Sequence, residues 1–235
     1  MKLKEIIDDL LFPKALYCIT CGKYIDNTRT YCLCDHCIRH MSFGSRDLKC
    51  GRYLDKAMAA MGYGLYERRI IFNLKYDGKT YLAPIIADIL YDSLMEQLYN
   101  GKDCPYAAAD LIVPVPVHES RLRERGFNQT EKIAKHLSAK LSIKMDGLSL
   151  KRVKHTDAQR ALSAEERAEN MESAFNVPSD RIQKIKGKKI ILLDDIFTTG
   201  ATAFTCAKTL KEAGAEKIYL LTLLSAGNRH HLMIE

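Results

Sequence analysis

The sequence of 235 residues contains no uninterrupted apolar run that approaches the length of a membrane span. Its N-terminus also lacks the apolar core of a secretion signal, because Asp8, Asp9 and Pro13 interrupt the short apolar stretches there. These absences predict a cytoplasmic protein without membrane insertion. The contents of 47% hydrophobic and 28% charged residues are typical of a soluble globular protein.

Internal repeats, low-complexity tracts and Pro/Gly/Ser-rich linkers are absent as well. The one shift in composition lies near Asp55. Before it the chain is rich in cysteine and irregular, and after it strand and helix patterns alternate. We therefore predict a small N-terminal module over residues 1–55 and a larger domain over residues 56–235.

The N-terminal module carries six of the eight cysteines, without an export signal that would favour disulfides. Two C-x-x-C pairs are separated by twelve residues, which is the spacing of a structural zinc ribbon. The predicted Zn²⁺ ligands are Cys18, Cys21, Cys34 and Cys37. Alternative ligands from the same region are Cys32, His36, His40 and Cys50. Four protein ligands leave no open coordination position, so we expect this metal to stabilise a loop-rich segment.

The larger domain alternates apolar strand runs with amphipathic helices, which predicts an α/β fold with a mainly parallel sheet. Strands are predicted over residues 57–64, 109–117, 188–195 and 218–224. Helices are predicted over residues 68–75, 82–98, 130–141 and 202–213, and a further one begins at a capping box from Ser163 to Glu166. In such folds ligands bind at the carboxyl ends of strands. The chemistry is therefore expected just after Val117 and just after Leu193.

Residues 190–202 combine a buried strand with two acids and a threonine-rich turn into a helix. The carboxylates of Asp194 and Asp195 can accept hydrogen bonds from the vicinal hydroxyls of a ribose. The turn offers backbone N–H groups, hydroxyls and a helix N-terminus, which suit a phosphate. Its residues are Thr198, Thr199, Gly200, Ala201 and Thr202. A Walker-type loop is excluded, because no Gly-Lys-Ser/Thr ending is present. The alternative is an ordinary β–α turn with two solvated acids.

A second polar segment follows the strand that ends near Val117. Arg121, Arg123 and Arg125 stand at alternate positions before a glycine, and guanidinium groups bind phosphate oxygens bidentately. These arginines are predicted to clamp a pyrophosphate; the alternative is a basic surface loop. Residues 121–160 hold eleven Lys/Arg and four Asp/Glu, an excess of seven that equals the net charge of +7. This region can attract phosphates, or it can be a solvated helix face.

The string LLDDIFTTGAT resembles the motif by which type I phosphoribosyltransferases bind 5-phosphoribosyl-1-pyrophosphate (PRPP). Together with PVPV…RxRxRGFNQ, RxxxTxxQxxLxxxxRxxN and LKYDG (residues 74–78), it closely resembles the ComF family of phosphoribosyltransferase-like proteins over nearly the whole chain. The resemblance implies a type I phosphoribosyltransferase-like fold with an N-terminal zinc ribbon. It implies PRPP binding with Mg²⁺, with Asp194, Asp195 and Arg125 at the reacting centre and Lys75 among the binding residues. It also implies a role in natural transformation, with single-stranded DNA and a competence helicase as partners.

Two main hypotheses remain open from the sequence. In one, the protein is an active phosphoribosyltransferase of nucleotide metabolism or salvage, in which Mg²⁺ bridges the pyrophosphate and the ribose hydroxyls. In the other, the PRPP site serves binding, and a basic surface with Lys132, Lys135 and Lys140 holds single-stranded DNA. A base-salvage enzyme has little support, since no base-recognition hood is identifiable between residues 55 and 110.

Overall fold

The computed structural model describes residues 16–26, 28–76, 78–153 and 174–226. Its main sheet has six strands in the order β1-β2-β8-β7-β3-β4. β1 pairs with β2 in antiparallel fashion, and the other pairs are parallel. The strands are β1 (Phe43–Asp47), β2 (Lys56–Gly62), β3 (Leu111–Pro114), β4 (Lys144–Met145), β7 (Lys189–Phe197) and β8 (Lys217–Ser225). β5 (Lys151–Arg152) and β6 (Phe175–Asn176) form a separate two-stranded sheet. The predicted α/β fold with a mainly parallel sheet is confirmed.

Helices cover both faces of the main sheet. They are α1 (Asp35–Arg39), α2 (Leu65–Tyr76), α3 (Leu82–Tyr99), α4 (Glu119–Arg125), α5 (Gln129–Leu141), α6 (Ile182–Ile185) and α7 (Ala201–Glu212). Side chains of α2, α3 and α5 share one core with Ile191 and Leu193 of β7. Side chains of α6 and α7 share the other core with Ile190 and Leu192. Because successive strand residues point to opposite faces, the apolar run of β7 fills both cores.

Two strand predictions differ from the structure at their ends. β3 ends at Pro114, three residues before the predicted end, because Pro114 and Pro116 cannot continue the ladder as donors. β7 continues to Phe197, two residues beyond the predicted end. Its neighbour β8 extends equally far and pairs Phe197 with Ser225. Both acids therefore lie inside the strand rather than at its very end.

A short helix, α4, carries the three arginines, in a segment where the sequence analysis predicted no helix. The ring of His118 caps its start by accepting a hydrogen bond from the backbone N–H of Ser120. Gly126 ends it with a φ of 77°, a left-handed conformation that glycine adopts without steric cost. The helix predicted to begin at Ser163 lies outside the described residues.

The cysteine-rich segment packs directly against α2 and α3. Leu33 and Cys37 are buried in the same core as Ile70 and Leu74 of α2. The side-chain amide of Asn73 donates to the carbonyl of Ile19 at 2.7 Å. β1 already belongs to the main sheet, so the part of the predicted module from Phe43 onward lies with the larger domain. The division at residue 55 stays a prediction.

None of the helices in the described part of the chain is both long and apolar enough to span a bilayer.

Candidate functional site

Four cysteine sulfurs of the N-terminal segment converge on one point. The Sγ atoms of Cys18, Cys21, Cys34 and Cys37 all lie within 4.8 Å of one another. The sulfurs of Cys21 and Cys34 are 3.7 Å apart. A tetrahedral zinc site with Zn–S bonds of about 2.3 Å separates its sulfurs by about 3.8 Å. The four thiols therefore fit one zinc ion, and would hold it as a closed structural site.

The surroundings act differently on the thiols of the cluster: burial raises the pKa of Cys21 and of Cys37, whereas the thiolate of Cys18 is favoured. Burial opposes the ionisation of Cys18, but backbone N–H groups of Cys21, Cys34 and Thr20 outweigh it and lower the pKa of this thiol to about 7. The N–H of Cys37 points at the sulfur of Cys34 at 3.4 Å. Such N–H···S contacts orient and stabilise metal-binding thiolates.

Three of the alternative zinc ligands named in the sequence analysis, His36, His40 and Cys50, contact other groups. Nε2 of His36 lies 3.1 Å from the hydroxyl of Tyr66 on α2, and Nδ1 of His40 lies 2.7 Å from the carbonyl of His36. Cys50 lines a separate cleft that it shares with Thr198 and Thr199. Within the described ranges, the group of four cysteines is the one close enough to hold a metal ion.

Asp195 is a buried carboxylate at the carboxyl end of β7. Only 5% of the residue is exposed. Its Oδ2 accepts a hydrogen bond from Nε2 of Gln129 at 2.8 Å and pairs with Nζ of Lys75 at 2.7 Å. Lys75, Gln129 and Asp195 thus bring α2, α5 and β7 together at one place. A charge-assisted pair of this kind holds both partners in a fixed geometry.

Asp194 points to the opposite face of the sheet from Asp195. Its carboxylate influences Cys206 of α7 electrostatically, whereas Asp195 contacts α2 and α5. Burial and the adjacent charge of Asp195 raise the pKa of Asp194 to about 7, although Lys75 and Arg152 act against this rise. The sequence analysis treated the two acids as one unit facing a ribose. Strand alternation separates them, because β7 continues past both.

The threonine-rich turn follows directly. Thr198 and Thr199 are exposed, and α7 begins at Ala201. Gly200 has a φ of 82°, and a Cβ there would lie 2.6 Å from the ring of Phe204. This position therefore requires glycine on two grounds, conformation and space. Thr202 lies in the first turn of α7, so the turn presents hydroxyls and a helix N-terminus side by side.

The three arginines of α4 do not act as a single row. At 100° per residue, positions 121 and 125 share one side of a helix and position 123 lies on the opposite side. The side chain of Arg123 is 75% exposed and lies 3.7 Å from Glu119. Arg125 lies 4.9 Å from the ring centre of Tyr76 and donates to the side chains of Tyr76 and Gln129. Of the three, Arg125 is linked through Gln129 to Asp195.

Gln129 is a site residue that the sequence reasoning missed. It is 5% exposed. Its side chain accepts a hydrogen bond from Arg125 and donates one to Asp195, so it connects the two residues. Asn128 caps α5 and, through its side-chain amide, is anchored to the carbonyl of Val115. A signal was present, since Gln129 extends the buried stripe of Ile133 and Leu137 by one turn. A polar residue on such a stripe indicates a buried hydrogen-bonding role.

A family model described as the phosphoribosyl transferase domain matches residues 129–232. Competence protein F of Haemophilus influenzae is 27% identical over 224 residues, covering 93% of this chain and 94% of that protein. DNA utilization protein YhgH of Escherichia coli is 27% identical over 212 residues, covering 88% of each chain. Competence protein ComFC of Streptococcus pneumoniae is 30% identical over 152 residues, covering 64% of this chain and 59% of that protein. The chain is thus similar over most of its length to proteins named for competence and for DNA utilization.

These similarities agree with the resemblance seen in the sequence. The segment that matches the phosphoribosyl transferase domain begins at Gln129 and contains β7, the acids and the threonine-rich turn. Lys75, the arginines of α4 and the four cysteines lie outside that segment. The roles of the individual site residues stay predictions.

Proposed function

We propose that this chain is a ComF-family protein that binds PRPP at the carboxyl end of β7. The observation that carries the proposal is the buried Asp195, fixed by Lys75 and Gln129 beside an exposed turn that begins a helix. In this arrangement the 5-phosphate is bound by the N–H groups and hydroxyls of residues 198–202. The ribose hydroxyls lie toward the carboxylates at the end of the strand.

Arg125 and Arg121 are on the same side of α4 and are placed to bind the pyrophosphate. Arg123 is assigned a smaller, electrostatic part, because it lies on the opposite side of α4 and its side chain is 75% exposed. Mg²⁺ prefers oxygen ligands, and among the predicted site residues Asp194 and Asp195 offer carboxylate oxygens. When bound together with PRPP, Mg²⁺ supplies neutralisation of the pyrophosphate charge.

The biological role proposed here is DNA uptake through the handling of single-stranded DNA, with a competence helicase as partner. Support comes from relatives that span nearly the whole chain and are named for competence and for DNA utilization. The net charge of +7 also favours a polyanionic partner.

A second candidate is active phosphoribosyl transfer in nucleotide metabolism or salvage. Asp194 favours it, because a carboxyl group with a pKa of about 7 next to a binding site is typical of acid–base catalysts. Incubation with Mg²⁺, PRPP and a panel of bases and amines tests this candidate. Release of pyrophosphate with one acceptor supports it, and no release with any acceptor contradicts it.

Thermal stabilisation by PRPP tests the binding proposal. Wild-type protein is heated with Mg²⁺ and increasing PRPP, and its Tm should rise with ligand concentration. Thr199→Val keeps the shape of the turn and removes a hydroxyl, so the rise should shrink. Asp110→Asn is the matched control, because Asp110 binds the backbone N–H of Lys189 at the opposite end of β7. A wild-type Tm that does not respond to PRPP would contradict the proposal.

A further inference from the structure

A cleft of about 480 Å³ runs along the exposed side of α2 and reaches the end of β7. We call it the α2 cleft. Its described lining residues are Tyr63, Leu65, Arg68, Arg69, Ile71, Phe72, Lys75, Tyr76 and Ile196. Lys75 pairs with Asp195, so the cleft adjoins the site proposed for PRPP without including the threonine-rich turn.

Aromatic rings are exposed along this cleft. Tyr63 is 39% exposed, Phe72 is 55% exposed and Tyr76 is 51% exposed. The ring centres of Phe72 and Tyr76 are 4.8 Å apart, and their planes are inclined by 38°. Large apolar rings grouped on a surface mark a binding site more often than single exposed ones do. The cleft therefore presents an aromatic surface on which a flat group can stack.

The described charged residues that line the cleft are all basic: they include three cations and no carboxylate. Arg68 and Arg69 are exposed, and neither forms an ion pair with a residue that the structure describes. The guanidinium of Arg125 lies over Tyr76 and extends the positive surface toward α4. A polyanion is thus attracted along the same path as the rings.

We propose that the α2 cleft binds single-stranded DNA, with bases stacked on Phe72 and Tyr76 and phosphates near Arg68 and Arg69. Aromatic platforms beside cations are the means by which proteins bind single strands without reading their sequence. Unpaired bases expose the faces that such rings require, whereas a duplex does not. The inference rests on the proposed role in handling single-stranded DNA, and it places that strand on α2.

The lysines of α5, which the sequence analysis nominated for DNA, are less suited to this task. Lys140 is paired with Asp88 and lies over the ring of Tyr91. Lys132 and Lys135 are exposed, and their face of α5 carries polar residues such as Glu131 and His136. These lysines can add long-range attraction, but they provide no ring for a base.

The position of the cleft has a consequence for the PRPP site. Lys75 lines the cleft and also binds Asp195 at 2.7 Å. A strand in the cleft therefore lies next to the place proposed for the ribose of PRPP. The bound DNA and PRPP are neighbours on α2, and each can be measured separately.

Fluorescence anisotropy with a labelled oligo(dT) of about 20 nucleotides tests the inference on the full, zinc-loaded chain. Arg68→Glu/Arg69→Glu should weaken binding at least tenfold, and Lys132→Glu/Lys135→Glu, with the same change in charge, about twofold. Phe72→Ala should weaken binding about fivefold or more, because one stacking ring is lost. Tyr99→Ala is its control, since Tyr99 is 93% exposed and lies outside the cleft. A duplex of equal length should bind more weakly than the single strand.

The result that overturns the inference is a loss of affinity in the lysine variant while the arginine and Phe72→Ala variants bind as wild type does. Equal binding of single strand and duplex also overturns it, because stacking then plays no part. Wild-type protein that binds no oligo(dT) overturns both the inference and the proposed DNA role. The Tm rise with PRPP, measured on the same variants, should equal that of wild type. A Tm rise equal to that of wild type shows that the variants are folded and that PRPP binding is independent of DNA binding.

Discussion

The cysteine cluster and the β7 site are assembled in opposite ways. The four sulfurs come from one short stretch of chain, between Cys18 and Cys37. The β7 site takes Lys75, Gln129 and Asp195 from three elements that are far apart in sequence. A local site of this kind depends on its metal, whereas a non-local site depends on the packing of the whole sheet. The two sites should therefore fail under different changes.

Helix α2 connects the two regions. One side of it packs against the cysteine segment through Ile70, Asn73 and Leu74, and the other side carries Lys75 to Asp195. Glu67, which is 1% exposed, accepts a hydrogen bond from the backbone N–H of Ser42 at 2.6 Å. Variants in the two regions can therefore separate the contribution of the metal to stability from the contribution of this packing.

Loss of a metal ligand should have the largest effect. Cys34→Ser should abolish zinc binding and lower the Tm by about 10 °C or more, because the metal organises a segment that shares the core of α2. Zinc content by mass spectrometry and a thermal melt measure the two results. Cys50→Ser is the control, since Cys50 lies in another cleft. This variant should keep the zinc content and the Tm of wild type. Equal zinc loss in both variants would contradict the assignment of ligands.

Asp194 should make stability depend on pH on the β7 side. Its pKa of about 7 lies above the ordinary value of about 3.9. Between these values the folded state holds a proton that the unfolded state has released, so the free energy of unfolding falls as pH rises. Asp194→Asn cannot ionise and should be more stable than wild type at pH 8 by about 4 kcal/mol, because each pH unit between the two pKa values contributes about 1.4 kcal/mol.

Urea unfolding of both proteins from pH 4 to pH 8 measures this difference. The two curves should converge toward pH 4, where Asp194 is protonated. Asp110→Asn, at the other end of the sheet, should follow the wild-type profile. A constant difference between Asp194→Asn and wild type at every pH would show that Asp194 does not titrate in this range.

The contact between α2 and the cysteine segment should have the smallest effect. Asn73→Leu removes the hydrogen bond to the carbonyl of Ile19 and should cost about 1 kcal/mol, which corresponds to a Tm lower by about 2–4 °C. Zinc content should stay at the wild-type value, because no ligand changes. Zinc loss in this variant would mean that the packing on α2, rather than the thiols alone, holds the site together.

Features that depend on neighbouring residues were predictable from the sequence. The C-x-x-C spacing identified the four cysteines that the structure brings together. The apolar run of β7 and the glycine before α7 located the strand and the turn. In each case the sequence pattern spans only a few neighbouring residues, so that their local chemistry determines the structure they form.

Features that depend on distant partners were not predictable. β1, with the sequence FGSRD, has little apolar pattern, and its place in the sheet comes from pairing with β2. Helix α4 is a local feature and was missed for another reason, since its seven residues are too few for a periodic signal. The separation of Asp194 from Asp195 follows from the length of β8, which lets β7 continue past both acids.

Binding of PRPP at the end of β7, as proposed above, can be measured by titration calorimetry with PRPP and Mg²⁺. Wild-type protein should bind with measurable heat, and Asp194→Asn/Asp195→Asn should bind at least tenfold more weakly. Asp110→Asn should keep the wild-type affinity. Equal affinity of wild type and the double variant would contradict the claim.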